Sequence, residues 1–351
     1  MHCFRSRSIA PAARQHGAAL IFAMLVFALA TALVVAMKGE FERFYQRSSN
    51  ILLDGQAQAY LRGAEDLAGI LLLTDYDMDK KAGLFRDDLN EIWWTKPGNP
   101  PPTYALDGTG WMSGSLEDLQ GRFNLNTLAT RVPSEATAGS KKRFTASQEQ
   151  FIRLLQALGD PAVSEQEAIT LTESVSDWLD ADRETSLDGA EDDYYSGQTP
   201  AYRTANRSMS SVSELRAVAY MTPEIYRALL PWVTVWPEQP ATLNIHTAPA
   251  TVLRSINAKG ILSPLTEAEG ESLVQYREDT GFEDKTDFQA NPVFDGKRDN
   301  MKEVAALLGE NSAYFLLRAE VEVAGRNMRL YSVLNRSNRN IATIARASGS
   351  L

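Results

Sequence analysis

The fold of this chain is decided near its N-terminus by the stretch Gly17-Ala18-Ala19-Leu20-Ile21-Phe22 and its apolar continuation to Met37. From Ala18 to Met37 there are 20 residues without a charge, and the most polar side chain among them is that of Thr31. Twenty residues of α-helix extend about 30 Å, which matches the hydrocarbon thickness of a bilayer. The stretch is therefore predicted to be a transmembrane helix.

The residues before this helix predict its orientation in the membrane. Residues 1–17 contain Arg5, Arg7 and Arg14 but no acidic residue. Because positively charged flanks stay in the cytoplasm, everything after Lys38 is expected on the far side of the membrane. The chain is thus predicted to be a single-pass protein with a large exported C-terminal head.

Two processing sites are compatible with this N-terminus. The triplet Ala28-Leu29-Ala30 has the small residues of a secretory cleavage site, but the apolar run continues past it, which argues against cleavage there. A basic leader that ends in Gly17 directly before an apolar run resembles the leader of type IV prepilins and pseudopilins. In those families a membrane peptidase cleaves after the glycine, and the new N-terminal residue, here Ala18, is methylated.

Composition and charge limit the partners of the exported head. With 351 residues, of which 44% are hydrophobic and 23% charged, the chain has the composition of a globular protein with one or two domains. Removing the three leader arginines from the formal net charge of −10 leaves −13 for the remainder. Such a head repels nucleic acid and anionic lipid, and it suits cations or basic partners.

Cysteine, histidine and motif content argue against an enzyme. The single cysteine is Cys3, and His2 and His16 also fall in the leader, which leaves His246 alone in the head. The head therefore uses no disulfide, and zinc sites and histidine-dependent triads are nearly excluded. There is no Gly-x-Ser-x-Gly motif, and the Gly-Lys step at 296–297 is not followed by the Ser or Thr of a P-loop.

An amphipathic pattern continues directly from the membrane segment. Its residues recur every three or four positions, which predicts an unbroken helix to about Leu73. They are Phe41, Tyr45, Ser48, Leu52, Gly55, Ala59, Gly63, Leu67 and Ile70. Because several are small, this face can approach another backbone closely. Packing on the protein's own sheet and packing on another subunit both remain open.

Strand-like sequence brackets a helical interior. After a proline-rich connector at 96–102, short strands are predicted at 104–106, 111–112 and 115–119. A hairpin is predicted from 314–323 and 328–335, followed by a loose polar tail. Helix starts between them are predicted by one Thr-Pro step and four capping boxes. They are Thr222-Pro223, Ser147/Gln150, Ser164/Glu167, Ser211/Glu214 and Thr266/Glu269.

An acidic stretch at 177–193 holds eight carboxylates in seventeen residues, with one arginine. Crowded carboxylates repel unless a cation neutralises them. Counted from Asp180, acidic side chains stand at places 1, 3, 5, 9 and 12, which is the ligand spacing of an EF-hand calcium loop. Place 6 is Thr185 instead of the required glycine, so calcium binding is predicted without that particular loop conformation.

The predicted calcium ligands are Asp180, Asp182, Glu184, Asp188, Glu191, Asp192 and Asp193. A solvated acidic loop without an ion is the alternative. The loop is expected to fold against a core through its apolar flanks, which are Trp178, Leu179, Tyr194 and Tyr195.

The stretch Leu243–Leu253, followed by Thr266–Tyr276, resembles the helix-hairpin-helix modules of DNA-uptake proteins. The intervening turn at 257–260 lacks the Gly-hydrophobic-Gly hairpin of those modules, and an acidic head gains little from counterion release on DNA. A structural helical hairpin is therefore favoured, and His246 is expected to be a satisfied, partly buried side chain. A membrane-tethered DNA-binding protein is kept as the alternative function.

Taken together, these features resemble the K subunit family of the type II secretion system, a family of large minor pseudopilins. Four stretches distributed over most of the chain carry the resemblance, and the acidic motif that ends in Tyr-Tyr is the most specific. They are Gly17-Ala18-Ala19-Leu20, Gly121-Arg122-Phe123-Asn124-Leu125-Asn126-Thr127-Leu128, the acidic stretch from Asp177-Trp178 to Tyr194-Tyr195, and Leu243-Asn244-Ile245-His246-Thr247-Ala248.

The resemblance implies an α+β fold, namely a pseudopilin fold with a long N-terminal helix and a small antiparallel sheet, interrupted by a large all-α insertion. The predicted segments are a leader at 1–17, a transmembrane helix at 18–37, a stalk helix with the first part of the sheet at 38–124, the insertion at 125–311, and a closing hairpin with a tail at 312–351. In this family the acidic loop binds Ca²⁺.

The resemblance also implies partners and location. The expected partners are the I and J minor pseudopilins, the H minor pseudopilin, the major pseudopilin and the prepilin peptidase, with no nucleic acid. The expected location is the inner membrane, with the head in the periplasm. The expected role is non-enzymatic: initiating and capping the tip of the pseudopilus that exports folded proteins across the outer membrane.

One departure from ordinary pilins bears on this role. Pilins usually carry glutamate at the fifth mature position, where it neutralises the N-terminal ammonium of the subunit above, whereas this chain has Phe22 there. Because a buried ammonium needs a partner, a subunit without this glutamate is poorly equipped to add beneath another. It is suited to being first.

Overall fold

The computed structural model describes residues 16–96, 98–106, 108, 110–130 and 143–349. It divides into two units, Met1–Gln58 and Ala59–Leu351. Most of the predicted leader, including Arg5, Arg7 and Arg14, lies outside the described residues. The fold class is α+β, as predicted.

The first helix, α1, spans His16–Ala82 and is unbroken over 67 residues, nine residues beyond the predicted end at Leu73. In the first unit its side chains are almost all exposed. Within the described residues, α1 is long and apolar enough to cross a membrane, with a window of mean hydropathy 2.8. Lys80 and Lys81 occupy its last turn, where positive charge complements the helix dipole.

The strands of the second unit are β1 Thr103–Leu106, β2 Gly110–Asp118, β3 Phe123–Asn124, β4 Val233–Thr234, β5 Leu243–Asn244, β6 Leu308–Gly309, β7 Tyr314–Val323, β8 Arg326–Ser337 and β9 Asn340–Ala347. Five of them form an antiparallel sheet with the strand order β1-β2-β7-β8-β9. Two parallel pairs, β3 with β4 and β5 with β6, lie outside this sheet.

The sheet corrects two predictions. The two strands predicted at 111–112 and 115–119 form a single strand, β2, which ends one residue earlier, at Asp118, and pairs with β7 along its whole length. The polar tail predicted to be loose instead forms β9, which pairs with β8 and shifts register between Val333 and Leu334. The prediction failed because β9 is an edge strand whose positions are alternately exposed and half-exposed, so its sequence lacks the large buried apolar residues that mark a strand.

The part of α1 that lies on the sheet does not use the predicted stripe. Ala59 and Gly63 are exposed, whereas Leu61, Ala64 and Leu72 are buried. A buried glutamate, Glu65, anchors this face. It accepts hydrogen bonds from Ser332 (2.6 Å), Thr343 (2.9 Å) and Arg346 (2.6 and 2.9 Å). The buried face of α1 (Leu61, Ala64, Ala68 and Leu72) also has apolar helical spacing, and Glu65 fixes that face against the sheet.

Between β2 and β7 the described residues are mainly helical, with the two-residue strands β3 to β6 among them, so this part of the chain is not all-α. The α-helices are α2 Ala146–Gln156, α3 Glu165–Leu179, α4 Asp192–Ser196, α5 Pro223–Leu229, α6 Ala250–Arg254, α7 Glu267–Asp279, α8 Lys285–Ala290 and α9 Lys302–Ala305. Short 3-10 turns connect them at Leu125–Ala129, Val212–Ala217, Leu230–Trp232, Pro292–Phe294 and Arg298–Asn300. Their apolar faces share one large core.

Three of the four predicted capping boxes are present, at Ser164, Ser211 and Thr266, and Thr222 caps α5. The fourth is wrong by two residues, because Thr145 and Gln148 form the box of α2 instead of Ser147 and Gln150. Both pairs satisfy the spacing rule. The helix starts at the earlier hydroxyl, which leaves Ser147 inside the first turn.

A buried polar network joins the helical part to the sheet. Asp118, at the end of β2, accepts hydrogen bonds from Asn244 (3.1 Å), Ser312 (2.6 Å) and Thr247. Gln120 accepts from the backbone of Ala313 at 2.7 Å. The exit from β2 and the entry to β7 are therefore held side by side.

Candidate functional site

The acidic loop occupies residues 180–191, between the end of α3 at Leu179 and the start of α4 at Asp192. Trp178, Leu179 and Tyr195 are buried, as predicted, and the rings of Trp178 and Tyr195 meet edge to face at 5.3 Å. Tyr194 is 37% exposed, so its predicted burial is wrong. The loop is anchored by an aromatic cluster at both ends.

Asp177 organises the loop from within α3. It is fully buried and accepts hydrogen bonds from the hydroxyl of Ser186 (2.6 Å) and its backbone nitrogen (3.1 Å). A Cβ on Gly189 would lie 2.1 Å from Asp177 Oδ2, so only glycine fits at this approach. The carboxylate of Asp177 thereby shapes the loop that carries the predicted ligands.

Glu191 and Asp192 meet at the start of α4. Thr204 Oγ1 lies 3.1 Å from Glu191 Oε2 and 3.0 Å from Asp192 Oδ1. Glu191 is only 3% exposed, and its Oε1 is buried without a hydrogen-bond partner. Burial raises the pKa of Glu191. This carboxylate is therefore desolvated and incompletely satisfied by the protein.

The other end of the loop is held by Asn206. Its backbone nitrogen donates to Trp178 O (3.0 Å) and its Nδ2 donates to Asp182 O (2.9 Å), while its Oδ1 is buried without a partner. Asp180, which lies between Trp178 and Asp182 in the sequence, is buried. Thr204 and Asn206 could not be identified from the sequence, because neither is charged and both lie after the acidic stretch, so only the fold brings them to the loop.

The remaining predicted ligands are placed differently. Asp188 Oδ2 lies 2.6 Å from a guanidinium nitrogen of Arg143, so an arginine already neutralises it. Asp182 and Glu184 are exposed, and Asp182 Oδ1 accepts the backbone N–H of Glu184 at 2.8 Å. Asp193 is exposed on α4. The predicted set therefore divides into buried carboxylates at the loop ends and exposed ones along it.

The donor chemistry at the loop ends fits calcium. Ca²⁺ takes six to eight oxygen ligands from carboxylates, amide and backbone carbonyls and water. Glu191 Oε1 and Asn206 Oδ1 are both buried oxygens that lack a hydrogen-bond partner. Such orphaned acceptors are costly unless a cation or a water satisfies them. A loop ion coordinated there would supply charge neutralisation and would link the two loop ends.

A second acidic cluster, not anticipated from the sequence, lies beside the C-terminal part of α1. It comprises Asp75, Asp79, Asp87 and Glu91, which place one carboxylate oxygen each within 4.8 Å of one another. Within the described ranges, no other group of three or more His, Cys, Asp or Glu side chains converges this closely. The cluster was missed because Asp87 and Glu91 follow the helix on a loop, and their approach to α1 depends on tertiary structure.

An arginine neutralises part of this second cluster. Arg336 from β8 is buried, and it pairs with Asp75 at 3.2 Å and with Asp87. Burial and the neighbouring carboxylates raise the pKa of Glu91 to about 9 and that of Asp75 to about 6. The indole of Trp93 donates to Glu91. A single guanidinium therefore faces several carboxyl groups. The raised pKa values mean that some of these groups keep their protons, which removes the excess negative charge.

The predicted processing site lies at the start of α1. Gly17 and Ala18 lie in the first turn of α1, and both are exposed. Phe22, at the fifth position after the predicted cleavage, is 73% exposed.

The region that resembles helix-hairpin-helix modules forms α6 and α7. A buried arginine from α2 holds the connection between these two helices. Arg153, fully buried on α2, donates to the carbonyls of Ser255 (2.7 Å), Ala258 (3.2 Å) and Ile261 (2.7 Å). His246 was predicted to be satisfied and partly buried, but it is only 2% exposed and its Nε2 is buried without a hydrogen-bond partner. Burial lowers the pKa of His246 to about 4, so the ring is neutral.

Comparisons with known proteins agree with this architecture. Family models described as type II secretion system protein K match residues 121–238 and 243–308. Type II secretion system protein K of Pseudomonas aeruginosa is 33% identical over 95% of this chain and 93% of its own length. The protein K of Pectobacterium carotovorum is 30% identical over 96% and 97%, respectively.

Among solved structures, the fold matches the crystal structure of the GspK–GspI–GspJ complex from the type 2 secretion system of enterotoxigenic Escherichia coli. The TM-score is 0.71 at 24% sequence identity, and the match covers 87% of this chain and all of the other. The fold and the apolar N-terminal helix define a pseudopilin with a large helical insertion.

The chain belongs to the type II secretion system protein K family, whose members are minor pseudopilins. This is a structural family of the secretion apparatus and is not known as a family of enzymes. The DNA-binding alternative receives no support from these comparisons.

Proposed function

We propose that this subunit initiates the pseudopilus and then caps its tip, and that it acts without catalysis. The observation that carries the proposal is Phe22 at the fifth mature position. The expected cargo route is through an outer-membrane channel, towards which the growing filament pushes folded proteins.

The absence of a carboxylate at this position has an energetic consequence. In a filament, a glutamate at the fifth position lies in the membrane-derived core and meets the N-terminal ammonium of the neighbouring subunit above. An ammonium buried without such a partner is strongly disfavoured. A subunit with Phe22 offers no partner to a subunit above it, so we place it at the end that no other subunit covers.

The helical insertion supports the same position. It occupies the chain between β2 and β7, which are adjacent strands in the centre of the sheet. Ordinary pilins stack through their sheets and long helices, and a large insertion beside the sheet obstructs a further subunit there. Phe22 and the insertion therefore both favour a position at the tip of the filament over a repeated position along its shaft.

The proposed partners are the I and J minor pseudopilins, with the H minor pseudopilin and the major pseudopilin in the assembled filament. The matched crystal structure is described as a complex of GspK with GspI and GspJ, which supports the first two. We further propose an inner-membrane anchor with a periplasmic head. The apolar part of α1 and the basic residues before it support that topology.

Processing by the prepilin peptidase is proposed between Gly17 and Ala18. Intact-mass measurement and N-terminal sequencing of the membrane-extracted protein test it. Methylated Ala18 as the first residue is the expected result. A mature protein that begins at Thr31 contradicts it, because cleavage there destroys the filament-packing part of α1.

The tip position is tested by gold labelling of the head on isolated pseudopili, with wild type compared with Phe22→Glu and Phe22→Leu. Wild type and Phe22→Leu are expected to label one filament end only. Phe22→Glu restores the missing carboxylate and is expected to add label along the shaft. Label along the shaft in wild type contradicts the proposal.

We also propose that the acidic loop binds a structural Ca²⁺. Asp180, Glu191 and Asp192 are the proposed carboxylate ligands, with the amide oxygen of Asn206 as a further one. The orphaned oxygens of Glu191 and Asn206 support this choice, and the pairing of Asp188 with Arg143 removes that residue from the set. The ion would stabilise the inserted helical part.

A further inference from the structure

The part of α1 that directly follows the apolar run, residues 38–48, has two different faces. At 3.6 residues per turn, the rings of Phe41, Phe44 and Tyr45 lie within an arc of about 100° on one face. The charged side chains of this segment all lie outside that arc, and they are Lys38, Glu40, Glu42, Arg43 and Arg47. The segment is therefore amphipathic, whereas the run at 18–37 is apolar on all sides.

Within the unit Met1–Gln58, the protein covers little of these three rings. Phe41 is 69% exposed, Phe44 68% and Tyr45 66%. On the polar face, Arg43 turns back along the helix, and its Nε donates to Gly39 O at 3.1 Å. Three aromatic rings on one face bury a large apolar area when a partner covers them. This face is therefore suited to a partner with an apolar surface.

The height of the rings along α1 matches the headgroup layer of a bilayer. Phe41 and Tyr45 follow the end of the apolar run at Met37 by about 6 and 12 Å of helix. The headgroup layer extends about 5–8 Å beyond the hydrocarbon on each side. Helical side chains point back towards the N-terminus, here towards the membrane, so the rings reach lower than their Cα atoms. With the tilt of about 20° that is usual for membrane-spanning helices, directed to the aromatic face, the rings enter this layer.

The charges of the segment do not select the partner. Three basic and two acidic side chains nearly balance, so neither an anionic lipid nor an acidic protein surface is favoured. Phenylalanine rings on one face of an amphipathic helix bury at the boundary of headgroups and acyl chains, where a tyrosine hydroxyl also finds hydrogen-bond partners. Lipid adjoins these rings directly, because the same helix carries the apolar run. The observations thus favour a phospholipid surface as the occupant.

We propose that Phe41, Phe44 and Tyr45 lie in the headgroup layer of the membrane and fix the tilt and depth of α1 before the subunit enters a filament. The contact is made by the rings and needs no anionic lipid. This inference rests on the proposed membrane anchor and adds to it a one-sided contact beyond the spanning run. Extraction of the subunit from the membrane then requires these rings to leave the lipid as well.

Two single labels test the one-sided contact. The chain has one cysteine, so a full-length Cys3→Ser background accepts a fluorophore at Ser48→Cys, on the aromatic face, or at Gln46→Cys, on the opposite face. The labelled chain is reconstituted in phosphatidylcholine vesicles that contain a lipid with a nitroxide headgroup. Position 48 lies about 3 Å further along the helix from the membrane than position 46. Quenching is nevertheless expected to be about twofold stronger at position 48, because the tilt lowers that face into the headgroup layer.

Removal of the rings should abolish this difference. In a variant with three alanines in place of the rings, quenching at position 48 is expected to be no stronger than at position 46. That variant is Phe41→Ala, Phe44→Ala and Tyr45→Ala combined. Alanine preserves the helix because it has the highest helix propensity. The matched control, which should keep the difference, combines Glu40→Ala, Glu42→Ala and Arg43→Ala on the polar face.

Three results overturn the proposal. The first is stronger quenching at position 46 than at position 48 in the unsubstituted background, which describes an upright helix. The second is a difference that persists when the rings are removed or that requires anionic lipid, which assigns it to the charged residues. The third is a difference that disappears when each vesicle holds a single chain, which assigns the face to contact with a second copy.

Flotation of the vesicles separates this inference from the proposed function. A chain that does not float with the vesicles contradicts the membrane anchor itself. A chain that floats but lacks the quenching difference keeps the anchor and contradicts only the one-sided lipid contact.

Discussion

Two acidic regions of this protein differ in how the repulsion between their carboxylates is reduced. Beside α1, four carboxylates converge around a buried arginine, and the excess charge is relieved by raised pKa values. In the loop at 180–191, buried acidic groups lie at the ends, and Asp188 is paired with Arg143 at 2.6 Å. The first cluster is neutralised from within the chain, whereas the second leaves orphaned oxygens that an external ion can satisfy.

The number of acidic residues in a stretch of sequence is therefore a poor guide to where carboxylates converge in the fold. The dense stretch at 177–193 spreads its side chains along an exposed loop. The close cluster is assembled from α1 and the loop that follows it, and its counter-ion comes from β8, more than 240 residues later.

Arg336→Ala should have the largest effect, because it leaves Asp75 and Asp87 buried without their counter-ion. Breaking a buried ion pair from one side costs about 3–5 kcal/mol in the free energy of unfolding. Thermal or denaturant unfolding of the detergent-solubilised protein measures it. The matched control is Arg339→Ala, which removes an exposed pair with Asp77 (2.9 Å) and should cost about 0–1 kcal/mol. Equal losses in both variants would show that the cluster does not depend on Arg336.

Calcium should stabilise the wild-type chain and have little effect on Glu191→Gln. At a calcium concentration about 100 times the dissociation constant, one bound ion adds about 2.7 kcal/mol to the free energy of unfolding. Unfolding curves with CaCl₂ and with EGTA measure the difference. Asp193→Asn, a change at an exposed residue, should keep most of the calcium effect. Two results would contradict the loop site. One is a wild-type unfolding curve that is the same in CaCl₂ and in EGTA, and the other is a calcium stabilisation of Glu191→Gln as large as that of wild type.

Gly189→Ala should destabilise the loop by about 1–3 kcal/mol, because its new Cβ overpacks against the carboxylate of Asp177. Trypsin cleavage after the exposed Arg183 should become faster, which mass spectrometry of the fragments can follow. At Gly197, an added Cβ would meet its nearest neighbour at 3.5 Å, so Gly197→Ala is the control and should leave cleavage unchanged. Equal cleavage of both variants would mean that the loop does not close on Asp177.

Rising pH should destabilise the cluster beside α1 through Glu91. Its pKa is raised from 4.5 to about 9, so the folded chain retains a proton that the unfolded chain releases. The stabilising contribution is complete below about pH 4.5 and is lost progressively as the pH rises towards 9, with a slope of at most about 1.4 kcal/mol per pH unit for one proton.

Glu91→Gln, which imitates the protonated acid, should flatten this pH profile of the free energy of unfolding. The charged groups that face Glu91 and that could contribute a residual slope are Asp75, Asp79, Asp87, Asp88 and Arg336. An unchanged slope between pH 6 and 9 in Glu91→Gln would assign the pH dependence to these other groups.

Much of the fold could be predicted from the sequence where a pattern is local and continuous. The uncharged run at 18–37, the helical spacing that follows it and the alternating residues of β7 each specify their element without reference to the rest of the chain. The capping boxes worked for the same reason. Thr145 was missed only because two overlapping boxes satisfy one rule.

The features that could not be predicted depend on distant contacts. Glu65 is buried because Ser332, Thr343 and Arg346 come to it from the other end of the chain. The strand β9 has little intrinsic pattern and is defined by its pairing with β8. At the candidate calcium loop the carboxylates were visible in the sequence, but their division into buried and exposed sets depends on Arg143, Thr204 and Asn206.

The insertion between adjacent strands also bears on the order in which the molecule folds. The exit of β2 and the entry of β7 are separated by 195 residues, yet Leu119 donates to the carbonyl of Tyr314 at 3.0 Å. Closing an unstructured loop of that length costs on the order of 5 kcal/mol in chain entropy. A folded insertion whose ends already meet removes most of this cost. We therefore expect the central strand pair to form after the insertion has folded.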